Sequence, residues 1–485
     1  MNVKVAQALF AVAIFAILMN VPLPSAVDIT QGTRVDLSGS GQAALAVLAM
    51  VVILWITEAI PFPVTGLLAI VLLTVTRAGS FPELVREGFG HEIVMFIIGV
   101  SIISAALNQS GLLKRVITVM LSYLGHNPKT IILTFLIVGA LASMWITNLA
   151  VAAIFLPIGT SILKLCGAEK GKSNFGKALM ISSAWGPVIG GITTPVGCGP
   201  NPITIGYLKD LAGIDLSFFQ WMILGVPAAL LMIPFAWFTL LKMFPIEDID
   251  LAAAERGANR ELAELGSFSF REIYTLIVMS IAIFLWVGKP FIVRLSGGSL
   301  DYLSISFVAI ACSCLFFLPG LSVLTWKSVQ EETDWGGIIL IMTGLSLGSA
   351  IYHNGAAKWL ATLAFAKIGA VHPIGQVFLV VFSVSLMKVV FSSNTVTGVI
   401  VVPLMIALAN QLGINSAILA VPAGITASLA FILVTSSPTN IIPYSSGYFS
   451  ISDMAKAGIV MTVMSSICVT VSMAITSHLV GIQLF

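Results

Sequence analysis

Residues 391–403 read Phe391-Ser-Ser-Asn-Thr-Val-Thr-Gly-Val-Ile-Val-Val-Pro403, and residues 145–157 read Trp145-Ile-Thr-Asn-Leu-Ala-Val-Ala-Ala-Ile-Phe-Leu-Pro157. In both, a hydroxyl residue precedes an Asn (Ser393-Asn394, Thr147-Asn148), eight mostly small or apolar residues follow, and a Pro closes the run. Further along each half, Thr194-Pro-Val-Gly-Cys-Gly-Pro-Asn201 and Thr435-Ser-Ser-Pro-Thr-Asn440 match more loosely, each beginning at a Thr and ending in an Asn. Upstream, Gly111 and Gly355 precede the two Asn residues by similar distances. Polar residues occur singly in membrane helices by chance, but two motifs recurring in the same order at similar spacing make chance the poorer explanation. The chain reads as two related halves.

The surroundings of these loops decide the solvent. Of 485 residues, 58% are apolar and 9% are charged, against about 25% charged in soluble domains. A soluble fold of this length cannot hide so much apolar surface, whereas a bilayer needs about 20 apolar residues per helix. Backbone polar groups in lipid must pair internally, and the alternation of a β-barrel is absent, so the spans are helical. The net charge of +2 and the lack of a basic cluster give no sign of nucleic-acid binding. Cys166, Cys198, Cys312, Cys314 and Cys468 are scattered, with no CxxC, so neither a disulfide framework nor a zinc site is expected. Lys4 followed by the apolar run 5–21 and Pro24-Ser25-Ala26 imitates a signal peptide, but the run is long for one and is read as an uncleaved first membrane helix.

Apolar stretches cover 5–23, 43–60, 62–77, 92–110, 130–165, 177–208, 218–243, 271–288, 302–320, 335–356, 374–411, 416–445 and 455–480. Four are too long for one crossing. Stretches 130–165 and 374–411 carry polar residues at mid-length, as re-entrant hairpins would, and 177–208 and 416–445 carry polar breaks containing Pro, as interrupted helices would. The expected organisation is an all-α polytopic membrane protein of about 11 transmembrane helices plus two re-entrant hairpins. Residues 1–42 hold the first helix and an outer loop, 43–244 the first repeat, 245–270 a cytoplasmic linker with a surface helix, and 271–485 the second repeat. With an odd number of crossings per half the repeats are inverted, and such carriers bind substrate near the midplane at the repeat interface. With the N-terminus inside, more Lys and Arg fall on the inner side than the outer, as the positive-inside rule requires.

Hairpin tips and helix breaks offer unpaired amides with the positive end of a helix dipole. The hydroxyls of Thr147, Ser393, Thr395 and Ser437 and the amides of Asn148 and Asn394 add donors for an anion, while their carbonyl oxygens suit a Na⁺-sized ion. Neither loop contains Arg. Lys388 is the one Lys or Arg placed deep within a span, where a charge is costly unless paired or lining a cavity. It either snorkels to the interface or serves the site.

At these residues the chain resembles the divalent anion/sodium symporter family, carriers of dicarboxylates, citrate and sulfate. Ser393-Asn394-Thr395 matches that family's Ser-Asn-Thr signature, Ser143-Met-Trp-Ile-Thr-Asn148 is close to its first copy, and Trp55-Ile-Thr-Glu58-Ala-Ile-Pro61 resembles another hallmark. The likeness runs from about residue 43 to 460. It implies an elevator-type homodimer in which hairpins and broken helices carry substrate past a fixed scaffold. By position it implies substrate contacts from Thr147, Asn148, Cys198, Ser393, Asn394, Thr395, Ser437 and Pro438. It implies one sodium site at Ser143, Asn148 and Gly197 and a second at Asn394 and Ser436.

The chain also departs from that pattern. Leu149 replaces a signature hydroxyl residue, Cys198 stands where Ser or Thr is usual, and Thr439 replaces a Pro. Val389-Val390 takes the place of a Thr-Glu pair, preceded by Lys388, whose ammonium could stand in for one sodium ion. Glu58, beside Pro61 at a helix end, reads as a cap or scaffold residue.

The expectation is therefore a secondary carrier of small divalent anions, C4-type dicarboxylates first, by ion-coupled symport or exchange with Na⁺ or H⁺. The alternative within the fold is sulfate, a sulfonate or another oxyanion, and the alternative class is a cation/proton antiporter or channel. No catalytic constellation, resident cofactor or nucleotide-binding motor is present in the sequence. The bilayer expected is a bacterial inner membrane.

Overall fold

Val3–Asn20 (α1) and Gly39–Thr57 (α2) open the computed structural model, which describes residues 3–27, 34–124, 127–365 and 367–482. Between them a two-residue ribbon pairs Ala26 with Val35 and Val27 with Arg34, antiparallel. A sharp elbow at 58–61 turns the chain into α3 (Phe62–Val75). The elbow rests on Glu58 in the left-handed region (φ 49°) and on Trp55, whose indole N–H donates to the Phe62 carbonyl at 3.2 Å. Then follow α4 (Phe81–Gly88), α5 (Glu92–Gln109) and α6 (Leu112–Leu124). The first hairpin is α7 (Pro128–Ser143) with α8 (Asn148–Leu165), and the first interrupted helix is α9 (Asn174–Gly190) with α10 (Pro200–Ala212). The half ends on α11 (Phe218–Met243).

The linker forms α12 (Ala252–Glu264), as its Leu-Ala-Ala-Ala-Glu-Arg pattern suggests. The second half holds α13 (Phe270–Leu295), α14 (Ile305–Leu315), α15 (Trp326–Glu332), α16 (Trp335–His353) and α17 (Ala356–Ala364). Its hairpin is α18 (Pro373–Met387) with α19 (Asn394–Leu412), its interrupted helix is α20 (Ala417–Ala427) with α21 (Pro438–Tyr444), and α22 (Ile451–Thr476) closes the fold. Nine of the described helices are long and apolar enough to cross a bilayer.

Local chemistry explains the boundaries. Reciprocal capping boxes at Asn127/Thr130, Ser217/Gln220, Ser269/Glu272 and Ser450/Asp453 satisfy free amides at the starts of α7, α11, α13 and α22. Gly111 and Gly355, at φ +82° and +78°, let the chain turn into α6 and α17 at the same point of each half. The short helices α4, α6, α15 and α17 were not expected from apolar runs. Each is too short or too amphipathic to register as a span, and α4 and α6 carry charged residues within one or two turns.

The helices sort into two groups by packing. One contains both hairpins, both interrupted helices, α11 and α22: α7 and α8 pack on α9, α19 on α10 and α20, α18 on α20 and α22, and α11 on α9 and α22. The other is a frame: α1 on α2, α2 and α16 on α3, α4 on α16, α5 on α14, and α13 on α14. α16 lies between them, touching α10 and α19 as well as α3 and α4. There Gly344 and Gly348 let helices approach closely: a Cβ at Gly348 would sit 1.9 Å from the Tyr207 hydroxyl, which itself donates to the Gly344 carbonyl at 2.7 Å. Around α12, Arg115 on α6 forms a buried bidentate pair with Glu272 (2.6 and 3.2 Å) and donates to the carbonyls of Leu265, Gly266 and Ser267. The linker is thereby clamped to both halves.

Candidate anion site at the hairpin tips

Two helix pairs meet at polar breaks, and the same device holds both breaks open. Asn201, fully buried, donates through Nδ2 to the carbonyls of Gly191 and Thr194, both at 2.7 Å. Asn440, also fully buried, donates to the carbonyls of Ala430 and Leu433 at 2.9 and 3.2 Å. The acceptors stand ten and seven residues before the Asn in each case. This register corrects the sequence match: Thr194 corresponds to Leu433 rather than to Thr435. It aligns Gly197 with Ser436 and Cys198 with Ser437, a correspondence hidden in the sequence because the side chains differ. Ser428 Oγ donates to Asn201 Oδ1 at 3.3 Å and so links one break to the other.

The hairpin tips press against these breaks. In the first half the Asn148 side chain is buried among acceptors: Ser143 Oγ at 2.5 Å, Gly197 O at 3.0 Å and Pro187 O at 3.1 Å. With its nitrogen toward them it donates to all three. With its oxygen toward them, Ser143 Oγ donates to Asn148 Oδ1 and the carbonyls complete a cluster of hard oxygen ligands suited to a small cation. Only glycine fits at 197, since a Cβ would lie 2.5 Å from the Gly191 carbonyl oxygen and 2.6 Å from that of Ser143.

The second half differs. Lys388, 3% exposed, caps the C-terminus of α18 and sends Nζ to Asn394 Oδ1 at 2.7 Å and to the Ser436 carbonyl at 3.1 Å. Ser436 Oγ returns a bond to the Lys388 carbonyl at 2.9 Å. The ammonium therefore sits on the oxygens that correspond to Asn148 Oδ1 and Gly197 O in the first half. It turns inward to the site instead of snorkelling outward. The Asn394 amide nitrogen, on the other side, donates to Cys198 Sγ at 3.4 Å.

In front of both tips lies a cavity of about 500 Å³. Thr147, Asn148, Cys198, Ser393, Asn394, Thr395, Ser437 and Pro438 all line it, and Gly197 does too. Ser143, Lys388 and Ser436 are not among its lining residues; they pack behind Asn148 and Asn394. Two of the hydroxyl oxygens also accept from backbone amides, which leaves their O–H groups free to donate into the cavity. Ser393 Oγ accepts from the Val396 amide at 3.4 Å and Ser437 Oγ from the Thr439 amide at 3.3 Å, so both cap their own helices. Thr147 makes no such cap, which leaves the first amides of α8 open to the cavity.

The frame supplies the opposite wall, with Phe62, Phe96, Ile97, Ser101, Glu58 and Asp334. No repeated motif marks these residues in the sequence as part of the site. Glu58 does more than cap: its Oε1 accepts from Ser392 Oγ at 3.2 Å, tying the α2–α3 elbow to the second hairpin tip. Asp334 caps α16 through the Gly337 amide at 2.9 Å. No Lys or Arg among the described residues lines the cavity.

Over 448 residues the chain is 29% identical to the sodium-dependent dicarboxylate transporter SdcS of Staphylococcus saprophyticus, covering 90% of this chain and 86% of that one. Over 451 residues it is 29% identical to SdcS of Staphylococcus aureus, covering 90% and 85%. Among solved structures, the YdaH transporter of Alcanivorax borkumensis superposes with a TM-score of 0.59 at 13% identity, over 99% of this chain and 98% of that one. MtrF of Neisseria gonorrhoeae gives 0.57 at 10% identity, over 97% and 94%. These two share the fold. The family model described as the sodium:sulfate symporter transmembrane region matches residues 2–482, and the chain thus belongs to that family of integral-membrane transporters.

Proposed function

We propose that the chain is a secondary active carrier of small anions, C4-type dicarboxylates first, working by ion-coupled symport or exchange. The observation that carries this reading is the convergence of both hydroxyl-asparagine loops on one cavity, each with an oxygen cluster behind it. Sulfate or another oxyanion is the second reading, favoured by the family's description. The substrate's oxygens would take hydrogen bonds from Thr147, Ser393, Thr395, Ser437 and the Asn394 amide, together with the open amides of α8. Na⁺ would occupy the cluster of Ser143, Asn148 and Gly197.

At the equivalent second cluster of Asn394 and Ser436, Lys388 supplies the positive charge that a second ion would bring. Coupling then needs one cation fewer, and a fixed charge that cannot leave with the substrate favours exchange over net uptake. The alternative is that Lys388 releases its proton in each cycle, in which case its charge is not fixed and H⁺ takes the place of Na⁺ as the coupling ion. Transport by sliding of the hairpin group past the frame is supported by the packing division, as are two inverted repeats by the matched Asn registers. A homodimer and a cytoplasmic N-terminus in a bacterial inner membrane complete the proposal.

The test is uptake of labelled succinate and of labelled sulfate into proteoliposomes, each with and without a sodium gradient and with and without internal counter-substrate. Succinate uptake that rises with internal succinate is expected. Uptake of neither anion under any condition would remove the reading.

A further inference from the structure

At the far end of α8 from the hairpin tips lies a second, smaller pocket of about 330 Å³. Lys164, in the last turn of α8, and Lys170, in the loop to α9, both line it, and no Asp or Glu does. Neither lysine has an ion pair among the described residues, whereas Lys172 beside them pairs with Glu169 at 2.8 Å. The third polar member is Tyr448, 1% exposed, with Lys170 Nζ 5.9 Å from its ring centroid. The ring is seated on Gly176, where a Cβ would lie 2.6 Å from Tyr448 Cδ1, which fixes the phenol in place. A buried tyrosine hydroxyl usually finds a partner, yet that of Tyr448 has none among the described residues. Thr160 and Ser445 also line the pocket, but their hydroxyls donate to the carbonyls of Leu156 and Ile442. The free donors are therefore two ammonium groups and one phenol.

We infer that this pocket is a second oxyanion site, holding one carboxylate or phosphate group between Lys164, Lys170 and the Tyr448 hydroxyl. Charge-assisted hydrogen bonds from an ammonium to an oxyanion are the strong kind, and no neighbouring carboxylate competes for them. The pocket stands about 24 Å along α8 from Asn148, so it is separate from the cavity at the tips. Exposed positions on two packed helices join the two places. On α8 they are Leu149, Ala153, Pro157 and Lys164, and on α21 they are Pro438, Ile441 and Ser445. Leu149, Pro438 and Ile441 line the cavity, while Pro157, Lys164 and Ser445 line the pocket. Two sources share the ligand chemistry: a free anion at the end of this path, and the phosphate of an anionic bilayer lipid. The site stands whichever anion the cavity carries.

The experiment is lysine footprinting of the full chain, acetylating with an N-hydroxysuccinimide ester and reading each lysine by peptide mass spectrometry. The protein is labelled in lipid-free detergent with succinate or inorganic phosphate, and in nanodiscs with or without phosphatidylglycerol. Lys172, already paired, serves as the internal reference. Acetylation of Lys164 and Lys170 relative to Lys172 should fall as the anion is added. Protection by succinate or phosphate without lipid identifies the free anion as the source, and protection only with phosphatidylglycerol identifies the lipid. Tyr448→Phe keeps the ring and its contact with Lys170 but removes the hydroxyl. It should raise about tenfold the anion concentration needed for half-protection, the effect of one hydrogen bond to a charged group. Lys170→Gln, read at Lys164, is the second variant and should lose the protection.

Relative acetylation that none of succinate, phosphate and phosphatidylglycerol moves overturns the inference. Protection that neither variant weakens overturns it too, because the anion would then be acting from elsewhere.

Discussion

At the scale of single residues, Lys388 is where the two halves part company. Its Nζ is held by Asn394 Oδ1 and the Ser436 carbonyl, and removing the ammonium leaves two buried acceptors facing an ion-sized gap. Lys388→Met should therefore make transport depend on an additional cation. Initial rates measured over a sodium series should rise more steeply than in the unaltered protein, and an unchanged steepness would count against Lys388 as a cation substitute. The buried asparagines of the helix breaks carry a different kind of load. Asn440→Leu strips the partner from the Ala430 and Leu433 carbonyls, so about 2–4 kcal/mol of stability should be lost. Thermal unfolding in detergent reads this directly, and Asn201→Leu should behave alike.

Among elements, the contact between the frame and the hairpin group is the informative one. His91 and Glu92 at the start of α5 face Asp210 and Lys209 at the end of α10, His91 Nε2 lying 2.7 Å from Asp210 and Lys209 pairing with Glu92. Partly exposed pairs contribute little alone, about 0–1 kcal/mol, but these join groups proposed to slide past each other. Glu92→Lys and Lys209→Glu should each change the transport rate, and the double reversal should restore most of it. Additive losses in the double variant would show that the pair does not matter. Arg115 on α6 offers a complementary test of stability, because Lys cannot reproduce its fork to Glu272 and three carbonyls. Arg115→Met should destabilise the fold by about 3–5 kcal/mol by leaving Glu272 buried and unpaired. Interrupted helices and hairpins were legible in sequence because polar residues and Pro within apolar runs have few other uses in lipid. The helices α4, α6, α15 and α17 were not, since short amphipathic segments leave no long-period signal. The register of the breaks is not legible for another reason: the Asn–carbonyl bonds that define it leave no trace at the acceptor positions, where any side chain will do.

Across the whole molecule, one wall of the cavity could be read in the sequence and the other could not. The hairpin and break residues repeat, so Thr147, Asn148, Ser393 and Asn394 announce themselves. Phe62, Phe96, Ile97 and Asp334 come from frame helices with no repeated motif, and only the fold brings them to the same place. Glu58 was noticed for its place in the chain, yet its carboxylate at the cavity became evident only from the elbow's geometry. One member of the wall has a use of its own. Cys198 is a free thiol in the cavity, Cys312 and Cys468 are buried, and Cys166 and Cys314 can be replaced by Ser. In that background the chain carries a native chemical clock. The rate at which a membrane-impermeant maleimide consumes Cys198 from one side of sealed vesicles measures how often the cavity opens to that side. A bound anion, by covering the sulfur, should slow the clock.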